Sequence, residues 1–304
     1  MTAPQNKEHS PRNGELLRKT AEAVSIGTLA LLAAEHLSTE VFYPRWRQGS
    51  LECFPHDAEP NKLPEKSWLI FGGLKYGDAG IIGEALQESL GEVAAVGYAR
   101  YPNRRLGIET LAHFAKNSGV RNLNIYGHSM GTGVAMTFLS MLQPELQRGD
   151  IKVERFVMDG SPAEINDTNY EELLKALLSS PYPPGMLAKF GMHAWDLAVG
   201  KKLNSFIQEF AASPELVMNQ LLHLEFSNPD RYQHILPYLS NTQFAYVYGE
   251  NDTVVKTQQA LKKWQRFLGG RVHEIGIPNG IHANPHEEPV LYNKALLNYF
   301  DLAA

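Results

Sequence analysis

The sequence predicts an α/β protein: a mainly parallel sheet with helices on both faces. Three observations lead there. Apolar strand-like runs alternate with helix-like segments from residue 67 almost to the C-terminus. The first of these runs, WLIFGG (68–73), is continuously apolar and closes on two glycines, as a strand buried on both faces does. The stretch NLNIYGHSMGTGVAMTFL (122–139) passes from an apolar strand to an apolar helix through Ser129, with Gly127 and Gly131 two residues away on either side.

Before this alternation begins, the chain is of a different character. Residues 1–12 form a polar tail with no apolar period, expected to be disordered. Residues 13–66 hold an N-terminal helix, about Glu15 to Leu37, and a connecting segment rich in proline with room for one or two short edge strands. The helix contains the apolar run Ala23–Ala34, about 12 residues long and too short to cross a bilayer. Arg18 and Lys19 precede it, but the polar lead is long for a secretion signal, and no convincing small-residue cleavage site stands before a mature start. A helix packed on the body or on a partner is expected. Membrane association through residues 23–34 is the less favoured reading.

A core follows over 67–162 and 243–304. Its strands are 68–73, VAAVGYARY (93–101), LNIYG (123–127), VERFVMDGS (153–161), FAYVYG (244–249) and RVHEIGI (271–277). Its helices are expected at 79–90, at 106–116, from about Met130, at 256–267 and at 289–302. Residues 163–242 break the pattern. They show helix-like stretches and no convincing buried strand, and about 80 residues between two core strands reads as a helical cap rather than an ordinary crossover.

The net charge of −5, with no basic stripe interleaved with aromatics, argues against a nucleic-acid partner. The lone cysteine, Cys53, has no partner for an internal disulfide, which fits a reducing, cytoplasmic setting. Nothing around it suggests a nucleophile.

Crowding explains the small residues around Ser129. Where a strand turns sharply into a helix, the residue at the tip stands clear of the sheet while its neighbours at two residues' distance nearly touch. A serine held there is a poor nucleophile until a base takes its proton and an acid orients that base. Asp252 follows the strand ending at Gly249, and His282 lies in the loop after the last strand, so serine, acid and base come in that order. His286 competes as the base. Asn284, Pro285, Glu287 and Glu288 are helix-start signals that put His286 in a helix start and leave His282 in the loop. Asp159 and Glu250 are alternatives for the acid. A metal held by His282 and His286 lacks a third ligand nearby, and no cofactor is expected. The oxyanion would be met by the backbone N–H of Met130 and by that of Leu74 or Gly73 in the loop FGGLKYG.

GHSMG (127–131), GENDTVV (249–255), GIHANP (280–285) and the FGGLKYG loop together resemble the motifs of the α/β-hydrolase superfamily, over roughly residues 67–302. The resemblance implies an α/β-hydrolase fold with a helical cap inserted before the acid-bearing strand, and a serine rather than an aspartate nucleophile. Two departures stand out: Thr132 replaces a frequent third glycine, and Phe71 or Gly72 stands where relatives usually carry histidine. The expected activity is hydrolysis of an ester or thioester of a small or acyl-chain substrate. Phe190, Met192, Trp195 and Phe206 of the cap are candidate substrate-lining residues, or simply cap core. Acyl transfer or carbon–carbon cleavage on the same residues is an alternative, as is a non-catalytic binding protein on this scaffold.

Overall fold

The computed structural model describes residues 49–54, 63–74, 76–92, 94–102, 105–172, 174–175 and 213–302, with residues 27, 29, 30 and 33. Strands β1 (Ser50–Phe54), β2 (Lys66–Phe71), β3 (Ala95–Arg100), β4 (Asn122–His128), β5 (Lys152–Asp159), β6 (Gln243–Gly249) and β7 (Val272–Ile277) form one sheet. Their spatial order is β1-β3-β2-β4-β5-β6-β7. All neighbours run parallel except β1, which pairs antiparallel with β3 through Ser50–Arg100 to Phe54–Val96. The sheet therefore begins earlier than residue 67, in the proline-rich connecting segment, where β1 is too short to show a period.

Helices cover both faces, and the central strands are apolar on both. α1 (Gly80–Gly91) and α7 (Pro289–Leu302) pack on Trp68, Ile70, Tyr126, Val157 and Val247. The alternate residues Leu69, Phe71, Ile125, Phe156 and Tyr246 face the opposite layer. That layer holds α2 (Ile108–Asn117), α3 (Gly131–Met141), α4 (Gln143–Arg148) and α6 (Thr257–Phe267). This is period-two burial on a doubly covered sheet. In α2 the buried residues are Ile108, Leu111, Ala112 and Ala115, a single helical face. Each large side chain buried so contributes about 1.5–3 kcal/mol relative to exposure.

Between β5 and β6, the described residues form helices, 3₁₀ turns and loops, with one isolated bridge, Thr168 to Val255, and no strand. A 3₁₀ turn (Ile165–Asp167) opens the segment; α5 (Pro214–Phe226), capped by the Ser213 hydroxyl on Leu216 N–H, and a 3₁₀ stretch (Pro229–Leu239) close it. The opening is tied to the loop after β6. Buried Asp167 accepts from Ala163 and Glu164 N–H on one oxygen and from Gln259 and Lys263 on the other. Asn169 and Tyr170 donate to the carbonyls of Val254 and Thr253. Among the described residues no helix is long and apolar enough to cross a membrane.

Because β4, β5, β6 and β7 are adjacent and parallel, their C-terminal ends share one edge of the sheet. The loops after β4, β6 and β7 therefore meet there, although they are far apart in sequence.

Candidate active site

Ser129 sits between β4 and α3 with φ of +52°, a left-handed conformation that costs a side-chain-bearing residue about 1–2 kcal/mol. The surroundings hold it there. Ser129 N–H donates to the Asp159 carbonyl at the end of β5 at 2.7 Å. A methyl group on Gly127 would lie 2.3 Å from the Thr132 hydroxyl oxygen, and one on Gly131 would lie 2.1 Å from the Phe71 carbonyl oxygen. No real Cβ fits at either place. Thr132, the departure from a third glycine, closes the turn: its hydroxyl reaches the Gly127 carbonyl at 3.1 Å and the Ser161 hydroxyl at 2.6 Å.

The three expected side chains form one chain of contacts. Ser129 Oγ is 2.9 Å from His282 Nε2, and His282 Nδ1 is 2.9 Å from Asp252 Oδ2. The other Asp252 oxygen accepts from Val254 N–H at 2.8 Å and Val255 N–H at 2.9 Å. With Asp252 buried, desolvation acts to raise its carboxyl. The His282 charge and hydrogen bond and the Val255 and Val254 N–H groups outweigh this, and hold it below its ordinary range. A carboxylate accepting from Nδ1 leaves Nε2 unprotonated in neutral imidazole, free to take the serine proton.

Backbone contacts hold the acid and histidine loops together. Asn251 N–H donates to Gly280 O at 2.8 Å, and Glu250 N–H to Ile277 O at 3.2 Å. The loops approach so closely that a methyl on Gly249 would lie 2.3 Å from Ile281 O.

The rival residues lie elsewhere. Asp159 is fully buried and accepts from the Tyr126 hydroxyl at 2.8 Å, with His128 Nδ1 at 3.2 Å. Burial and the nearby Asp159 charge raise the Tyr126 phenol well above its usual range, keeping it a hydrogen-bond donor. Tyr292 of α7 completes the group, donating to Asp159 Oδ1 at 3.4 Å and accepting from Asn284 N–H at 3.2 Å. Glu250 is exposed. His286 packs edge-on to Tyr76 at 6.3 Å between ring centres. Its setting differs from the helix-start signals: residues 285–287 are a turn, Glu288 precedes the helix, and the proline at the first helical position is Pro289, where the expected range 289–302 begins, not Pro285. Asn284 O accepts from both Glu287 and Glu288 N–H, and Tyr292 N–H returns to Glu288 O, so the regular ladder starts one turn later.

Of the expected oxyanion groups, Met130 directly precedes α3, whose first turn bonds back to the elbow: Thr132 N–H donates to Ser129 O at 3.3 Å and Gly133 N–H to Met130 O at 3.0 Å. Gly73 lies against the serine: a methyl on it would be 3.0 Å from Ser129 Cβ. Leu74 follows in the same turn. Phe190, Met192, Trp195 and Phe206 fall outside the described residues, as does the side chain of Cys53. Among the described residues no three His, Cys, Asp or Glu side chains gather as a metal site. Sequence reasoning missed two contributors, Thr132 and Gln220. Gln220 of α5 is fully buried and donates to Gly73 O at 3.3 Å and Tyr76 O at 2.9 Å. An amide in an apolar helical stretch (ELVMNQLLHL) was the one available signal.

No protein-family model and no curated protein matches the sequence. Solved structures do match. An esterase from Exiguobacterium antarcticum superposes with a TM-score of 0.57 at 13% identity, covering 83% of this chain and 94% of its own. A carboxylesterase structure from the thaumarchaeon Nitrososphaera gargenis gives 0.56 at 12%, covering 84% and 94%. A meta-cleavage product hydrolase from Pseudomonas fluorescens gives 0.55 at 15%, covering 84% and 95%. With the strand order and the single antiparallel edge strand, these likenesses define the class: the chain has the α/β-hydrolase fold.

Proposed function

We propose that this protein is a serine hydrolase that cleaves an ester or thioester of a small or acyl-chain substrate. The observation that carries the reading is the continuous relay Ser129 Oγ, His282 and Asp252, two contacts of 2.9 Å ending on a strained residue at the sheet edge. Strain kept at one half-buried tip, with a base and a buried carboxylate aligned behind it, is what nucleophilic acyl chemistry needs.

In this reading Ser129 Oγ attacks the carbonyl carbon as its proton passes to His282 Nε2. The oxyanion is met by the N–H groups of Met130 and Leu74, with Gly73 shaping the approach. Collapse of the tetrahedral adduct expels the alcohol or thiol, which takes the proton from His282. Water then attacks the acyl-serine with His282 as base, and the acid leaves. Asp252 keeps Nδ1 protonated and stabilises the imidazolium while it lasts. Phe190, Met192, Trp195 and Phe206 are proposed to line the acyl pocket. Neighbours of this fold described as esterases favour the ester class. The meta-cleavage product hydrolase among them keeps carbon–carbon cleavage as the second substrate class to screen.

The test is labelling by a fluorophosphonate, comparing wild type with Ser129→Ala and His282→Ala. Labelling of wild type and loss in both variants is expected, followed by turnover of p-nitrophenyl esters. A folded wild-type protein that neither labels nor turns over an ester would overturn the proposal.

A further inference from the structure

Gly73 O accepts from Tyr76 N–H at 3.3 Å and from the Gln220 side-chain amide, also at 3.3 Å. The same amide nitrogen donates to Tyr76 O at 2.9 Å. Both partners are carbonyl oxygens, so the atom facing them is the NH2 and not the amide oxygen. Burying an amide completely is costly unless it is bonded. Here both bonds go to a single short loop, which connects α5 of the inserted segment to residues lying against Ser129.

A trans peptide is planar, with its C=O and N–H on opposite edges. Drawing the Gly73 oxygen toward Gln220 therefore turns the Leu74 N–H of the same peptide away from α5. We propose that Gln220 is a positioning residue: it aims the Leu74 N–H into the space beside Ser129 and so makes formation of the oxyanion site depend on the inserted helix. This also separates the two loop candidates, assigning the donor to Leu74 and the close backbone approach to Gly73. The inference rests on the serine-hydrolase reading.

The test begins with wild type, because turnover of p-nitrophenyl butyrate and fluorophosphonate labelling must both be present. Their absence overturns the hydrolase reading and this inference with it. Gln220→Met then keeps the volume and removes the donor. Its kcat is expected to fall ~10- to 100-fold with KM within about twofold of wild type. Affinity for an alkylboronic acid, which forms a tetrahedral adduct on the serine, should fall by the same factor as kcat. Leu224→Ala, a buried site on the same helix that does not bond the loop, serves as the structural control. Unchanged kcat and boronate affinity in Gln220→Met, or a loss that Leu224→Ala reproduces at matched Tm, would overturn the inference while leaving the hydrolase reading intact. If Gln220→Met does not fold, Gln220→Asn carries the same test: its amide is one methylene shorter and no longer reaches the two carbonyls, so the same kcat-selective loss is expected, and an unchanged kcat overturns the proposal.

Discussion

A methyl group on Gly131 would fall 2.1 Å from the carbonyl oxygen of Phe71, so the first residue of α3 rests on the last residue of the neighbouring strand β2. The obstacle is backbone, which cannot swing aside as a side chain can. Gly131→Ala is therefore expected to lower stability by about 3 kcal/mol or more, read by urea unfolding. A loss under about 1 kcal/mol would mean that the helix and strand separate easily.

Strain at the serine predicts the opposite sign for another glycine change. At a φ of +52°, glycine avoids the Cβ clash that alanine keeps, although it gains entropy when unfolded. Ser129→Gly is expected to be more stable than Ser129→Ala by about 0.5–1 kcal/mol, with neither variant labelled by a fluorophosphonate. Equal stability would argue that the elbow carries no strain.

The two buried aspartates should separate cleanly. Asp252 touches His282, whereas Asp159 is bound by Tyr126, His128 and Tyr292. Asp252→Asn is expected to lower kcat by about 10⁴-fold, because an amide no longer enforces the imidazole tautomer. Asp159→Asn should keep activity within roughly tenfold while costing about 1–3 kcal/mol of stability. Steady-state kinetics beside unfolding curves for both variants make the comparison, and reversed effects would exchange their roles.

The acid titration of Asp252 has a definite sign. Its folded carboxyl lies below its ordinary 3.8, because the His282 interaction and two backbone N–H groups outweigh the burial that would raise it. The unfolded chain therefore binds the proton at a higher pH. The stabilisation is fully present above the unfolded value and disappears as pH falls through the lower, folded one. The stability gap between wild type and Asp252→Asn is expected to hold near pH 5 and to shrink below about pH 4. A gap already gone at pH 5 would contradict a depressed carboxyl.

Thr132→Val tests the closure of the elbow. It removes the hydroxyl shared by Gly127 O and Ser161 while keeping the branched shape. A loss of about 1–2 kcal/mol is expected in thermal or urea unfolding. No loss would mean that Ser161, which also reaches Gly127 O at 3.3 Å, satisfies that carbonyl alone.

Much of the framework is legible in the chain because its signals are local. Strands β2, β4, β5 and β6 carry apolar runs closed by Gly, His or Asp, and α2 and α6 bury one face at helical spacing. The edge strand Ser50–Phe54 was allowed for but not placed, because its five residues lie in a proline-rich stretch and its partner β3 lies some 45 residues away. The closing helix starts at Pro289, as the expected range 289–302 has it, and Pro285 misled only about the turn before it, because two prolines four apart both suit a first helical turn.

By itself, the sequence determined the alternation of strands and helices, the crowded serine between its glycines, and the order of serine, acid and histidine along the chain. Those depend on side-chain size and apolar period within a few residues. The tertiary structure alone decided which carboxylate meets His282, that Thr132 closes the elbow onto Ser161, and that an amide from α5 bonds the loop at Gly73. Ser129 and His282 are 153 residues apart, and Gly73 and Gln220 147. Contacts at that separation are set by strand order and by which loops share an edge of the sheet, and no short window of sequence encodes either.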